Sequence, residues 1–138
     1  MHGNAQRLAS AVALTTSLTA STNVATIDGL GKHSLFIEWT PGTSGNVFLV
    51  VIDRRVQGST AGEWTQEMTW VQSASAGGTS TNTRNVEQYQ HTATGTTVVP
   101  LHIVIEGQAH ELRIRYSESE AGSSTKGTVT AYVLSSMS

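Results

Sequence analysis

Residues 47–52 read Val-Phe-Leu-Val-Val-Ile (VFLVVI), apolar at every position, with Pro41-Gly42 upstream and Arg54-Arg55 downstream. A run this short, rich in β-branched residues and bounded by turn formers, has the length of a strand rather than of a packed helix. Successive side chains of a strand point to opposite faces, so an unbroken apolar run requires cover on both of them. The segment is therefore expected to lie in the middle of a sheet.

The neighbouring segments alternate instead. Toward the N-terminus, Leu35, Ile37 and Trp39 are assigned to a core face and His33, Phe36 and Glu38 to the opposite one, with Pro41-Gly42 ending the strand. Val24 and Ile27 mark a short strand that stops at Asp28-Gly29, and Val12, Leu14 and Leu18 mark the first. Toward the C-terminus a strand is expected from Trp64 to Val71, and Gly77-Gly78 reads as a turn. Residues 81–92 form an edge strand or a surface loop, and Val98 and Val99 precede Pro100 and a strand over 101–105. Leu112, Ile114 and Tyr116 then alternate with Arg113 and Arg115, residues 117–127 read as a Ser/Gly-rich loop, and Val129, Ala131 and Val133 alternate with Thr128, Thr130 and Tyr132.

Roughly eight short strands separated by turn signals, without an amphipathic helical period, imply an all-β antiparallel β-sandwich, jelly-roll-like or immunoglobulin-like. The 138 residues suit one domain. It is expected over 10–138, preceded by a polar N-terminal arm over 1–9 that orders on a neighbour. Apolar clusters of regular period argue against a disordered chain, despite the abundance of Ser, Thr and Gly. The stretch LASAVALTTSL, residues 8–18, is interrupted by Ser and Thr and reads as a strand rather than a secretory signal. No apolar run is long enough to cross a bilayer, and a soluble protein is expected.

Charge and chemistry narrow the function classes. A net charge of -2, with only 13% charged residues, offers no basic field for nucleic acid or anionic membranes. Without cysteine there are no disulfides, thiolate metal sites or cysteine nucleophiles. Five histidines invite a metal reading, and a hairpin would bring His102 and His110 near Glu106 and Glu111, but the closely spaced histidine pair of a metal-binding strand is missing. The serines lack nucleophile-elbow spacing, no glycine loop has phosphate-cradling form, and Glu38 with Glu63 or Glu67 has no feature beyond that of chance acids. No catalytic residue, metal ligand or cofactor is expected.

Trp64 and Trp70 lie an even number of residues apart and would share one face of a continuous strand, as a core pair or as a platform for a sugar or a protein. Arg113 and Arg115, opposite the apolar face of their strand, meet solvent or the carboxylates of a neighbouring subunit. These four residues are the candidate interface.

The run LTTSLTASTNVATIDGLGKHSLFIEWTPGTSGNVFLVVIDRR, the EWTQE step, the alternating ELRIRYSES and the closing GTVTAYVL resemble small β-sandwich structural proteins of tailed bacteriophage virions, of the capsid decoration or head accessory type. The resemblance spans most of the chain and rests on strand order, so no binding residue transfers by position. It implies a non-enzymatic virion protein, homo-oligomeric, docked on other virion proteins, the major capsid protein first among them. A tail, neck or adaptor component and a carbohydrate-binding module stacking sugars on Trp64, Trp70 or Tyr89 are the alternatives.

Overall fold

The computed structural model describes residues 4–27, 32–55, 64, 68–72, 80–84, 87–105, 111–119 and 125–136. These residues form strands and no helix: β1 (Asn4–Ala13), β2 (Thr19–Ala20), β3 (Ala25–Thr26), β4 (Lys32–Thr40), β5 (Val47–Arg55), β6 (Met68–Gln72), β7 (Ser80–Arg84), β8 (Glu87–Thr92), β9 (Val99–Ile105), β10 (Glu111–Ser119) and β11 (Thr128–Ser136). One sheet has the order β1-β11-β4-β9. The other has β2-β10-β5-β8, with β3 also on β10, and β6 pairs with β7. All pairings are antiparallel.

The order of pairing identifies the architecture. Taking β2 and β3 as one broken strand and leaving aside the β6-β7 hairpin, the first strand pairs with the last (β1 with β11), the second with the last but one (β2 and β3 with β10), the third with β9, and β5 with β8. A long hairpin wrapped over itself, alternating between two sheets, is a jelly roll. An immunoglobulin sandwich instead pairs several strands that are consecutive in sequence.

Alternation sets what the sandwich encloses. Leu35, Ile37 and Trp39 of β4, Phe48, Val50 and Ile52 of β5, Leu112, Ile114 and Tyr116 of β10, and Val129, Ala131 and Val133 of β11 are all buried in one cluster. As expected from its unbroken apolar run, β5 lies inside its sheet, and Val51 and Asp53 on its outer side are covered as well. Pro100 falls within β9, a sheet-edge strand, the place in a sheet where proline is tolerated.

Several expectations are corrected. Residues 4–9, expected in an arm, belong to β1, whose Leu8 and Ala9 are both buried. Adjacent buried residues break strict alternation because the register with β11 shifts between Arg7 and Ala9 and again before Val12, and Ala11 takes a positive φ of 45°. Each irregularity flips the face presented by the following residues. The core residue beyond them is Leu14, whereas Val12 is only partly buried and Leu18 is exposed. His33 shares the inward parity of Leu35 and is buried, with its Nδ1 2.8 Å from Ser135 Oγ. Of the strand expected over 64–71, Trp64 lies outside a strand, 65–67 lie outside the described residues and 68–71 fall in β6, while Ser117–Ser119, expected in a loop, complete β10.

Candidate docking surface

The polar residues of β10 are held inside the chain. On the outer face of its sheet, Asp53 of β5 accepts hydrogen bonds from Arg113 Nε at 2.9 Å and from Arg115 Nε and Nη2 at 2.7 and 2.9 Å. Asp53 is only 1% exposed, so the two guanidiniums provide the compensation that a desolvated carboxylate requires. Arg55 donates to Glu111 at 3.0 Å. The guanidiniums of Arg55 and Arg113 lie over the Trp64 ring, 4.3 and 4.7 Å from its centroid. This arrangement is cation–π stacking, and it seats Trp64 on the sheet.

Three of the four candidate interface residues, Trp64, Arg113 and Arg115, therefore meet around Asp53 and are engaged within the chain. Trp70 lies on β6 opposite Asn82, apart from them in the ladder. A shared strand face for Trp64 and Trp70 depends on 65–67, which lie outside the described residues, as do Glu63, Glu67, Glu106 and His110. His102 and Glu111 stand on different sheets. Among the described residues no group of three or more His, Asp or Glu is placed to hold a metal ion.

On its inner face, β10 continues the parity of Leu112, Ile114 and Tyr116 to Glu118, which is fully buried. Its carboxylate accepts from Trp39 Nε1 at 2.7 Å, Gly127 N at 3.0 Å, Asn46 Nδ2 at 2.6 Å and Gly42 N at 3.0 Å. These donors come from β4, the loop after it, the approach to β5 and the approach to β11, so one side chain ties both sheets together. Burial by itself raises the carboxyl pKa. The hydrogen bonds from Asn46, Trp39, Gly42 and Gly127 outweigh it and hold the group below the usual value of 4.5. A Cβ on Gly127 would collide with the Thr40 carbonyl, and one on Gly42 with that of Thr125, so only glycine lets the backbone close around this carboxylate. The alternating run into Glu118 was the sequence signal for this latch.

The outer face of the β1-β11-β4-β9 sheet differs. Register places Arg7, Tyr132, Phe36 and His102 in one row across all four strands, and Ala5, Leu134, Ser34 and Val104 in the next. The Arg7 guanidinium stands 5.4 Å from the Tyr132 ring centroid, and Phe36 stacks on His102 with centroids 4.5 Å apart and planes 5° from parallel. Phe36, Leu134 and Val104 are 39%, 37% and 58% exposed, although β4 and β11 are interior strands of their sheet. Arg7, Glu38 and Thr130 are the polar residues at its margins, beside Pro100. An apolar centre within a polar rim has the make-up of a protein contact surface. Phe36 was legible as an outward residue. Its company with Val104, Leu134 and Tyr132 depends on cross-strand register, which a sequence does not display.

Compared with family models, curated proteins and solved structures, this chain matches none.

Proposed function

We propose that this chain is a non-enzymatic structural protein of a virion, a decoration subunit that docks on the head of a tailed phage through the outer face of the β1-β11-β4-β9 sheet. The observation that carries this reading is the row-on-row exposure of Phe36, Leu134 and Val104 inside a polar rim. Apolar area of this kind lowers the free energy of any complex that covers it. The jelly roll is a fold that capsid proteins use, and fold alone does not decide among its many roles. Strand order and texture of the bacteriophage structural proteins supply the rest of the case.

In this reading the docking partner is the major capsid protein, and further copies of the chain associate on the assembled shell. Binding only the assembled lattice stabilises it by mass action, with no bond made or broken. The test is mass spectrometry and copy-number measurement on purified intact particles from the virus encoding this chain. A copy number commensurate with the coat lattice supports head decoration. A few copies per particle would move the protein to the neck or tail, and absence from particles would end the virion reading.

A further inference from the structure

The two long sides of the sandwich are closed differently. Along one, the Gln6 side chain of β1 clamps the backbone of β3, donating from Nε2 to the Thr26 carbonyl at 2.7 Å and accepting from the Thr26 N–H at 2.9 Å. Along the other, the edge strands β8 and β9 face each other without pairing. Between them lies a cleft of ≈ 200 Å³, lined by Phe48, Val50, Tyr89, Gln90, His91, Leu101, His102 and Ile103. Tyr89 and His91 stand opposite the inward-facing Val50 and Phe48, so their parity directs them toward the space between the sheets. His91 is also edge-on to the core ring of Trp39, at 6.3 Å and 89°.

We infer that this cleft binds a neutral monocyclic aromatic compound carrying one hydrogen-bonding substituent, of which phenol is the simplest. Size, charge and lining point the same way. The enclosed apolar cavity that takes up benzene holds about 150 Å³; the cleft here is larger and open along the exposed Tyr89 and His91, with room for a ring and one substituent. Phe48, Tyr89 and His91 provide aromatic surfaces for offset or edge-on packing. Among the described residues no Asp, Glu, Lys or Arg lines the cleft, so no side chain of fixed charge offsets the hydration that a charged ligand would lose there. Tyr89 and His91 supply polar groups for the substituent, while Val50, Leu101 and Ile103 leave too few for a sugar ring with its many hydroxyls. The cleft opens between the sheets and meets the docking surface only at His102, which also stacks on Phe36.

Phenol, cyclohexanol and benzoate titrated into the isotope-labelled full chain, followed by amide and side-chain NMR shifts, test it. Phenol is expected to saturate with a Kd of about 1 mM or tighter and to shift the lining residues. Cyclohexanol and benzoate should bind at least about tenfold more weakly. Leu101→Trp, which fills the cleft from an edge strand, should weaken phenol by about tenfold or more with the remaining spectrum unchanged. Tyr89→Phe, which removes one hydroxyl and keeps the ring, should weaken phenol about threefold or more and leave benzene unaffected. Absence of saturable phenol shifts up to about 10 mM, shifts centred elsewhere, or equal affinity for benzoate would overturn the inference.

Discussion

The two sheets use their outer faces in opposite ways. On the β2-β10-β5-β8 sheet, Asp53, Arg113, Arg115, Arg55 and Glu111 satisfy one another, and Trp64 lies against their guanidiniums. On the β1-β11-β4-β9 sheet, Phe36, Leu134 and Val104 remain open to water. Buried charges survive only when paired, so the first face stabilises the fold. Exposed apolar area contributes little to the folded monomer, so the second face is available for association. The contrast teaches that chemical type is a poor guide to what a residue does. Arginines that look like contact groups are internal, and hydrophobes that look like core are external.

A sharp division of labour follows. Substitutions around β10 should cost stability, and substitutions on the opposite outer face should chiefly cost association. The largest effect is expected at Glu118, where Gln retains the shape but loses the charge and turns an amide donor toward other donors. Glu118→Gln should lower unfolding stability by about 2–4 kcal/mol in denaturant titrations. Gly127→Ala should cost about 1–3 kcal/mol by forcing the Thr40 backbone away, with no change in surface chemistry. Asp53→Asn should cost about 1–2 kcal/mol, leaving Arg113 and Arg115 facing each other without a compensating charge. Phe36→Ser with Val104→Thr, which removes the stack on His102, should cost about 1 kcal/mol or less and abolish association. A destabilisation at Phe36 comparable to that at Glu118 would erase the distinction between the two faces.

Acid should act through the interior. His33 has its pKa lowered from 6.5 because burial disfavours its charged form. Below about pH 6.5 the unfolded chain therefore takes up this proton first, and stability falls as pH drops toward the folded value. Glu118, lowered from 4.5, contributes stability that is fully present above that value and lost as pH falls through its folded pKa. Unfolding free energy measured against pH should decline gently from about 6.5 and more steeply below about 4.5. In Glu118→Gln the steeper component should shrink.

Strand parity made much of the sandwich readable. Val47 to Ile52 specified a strand covered on both faces, and Leu112, Ile114 and Tyr116 specified one with a single apolar side. Parity failed in part in β1, where Leu14 is buried as expected but register shifts add Leu8 and Ala9 to the buried set and leave Val12 only partly buried. It was also misread for His33, whose chemical type suggested the wet face that its position denies. The choice between jelly roll and immunoglobulin topology lay beyond local patterning, because it depends on which distant strands pair. The candidate surface was hidden for the same reason, since Phe36, Tyr132, Leu134 and Val104 meet only through three ladders.

Co-sedimentation with assembled phage heads that lack this protein, comparing the native chain with Phe36→Ser/Val104→Thr, tests the central claim most directly. The native chain is expected to sediment with the heads, and the folded double variant to stay behind as free protein. A native chain that stays behind at every concentration, or a folded variant that sediments with the heads equally well, would contradict the assignment of the open face to docking.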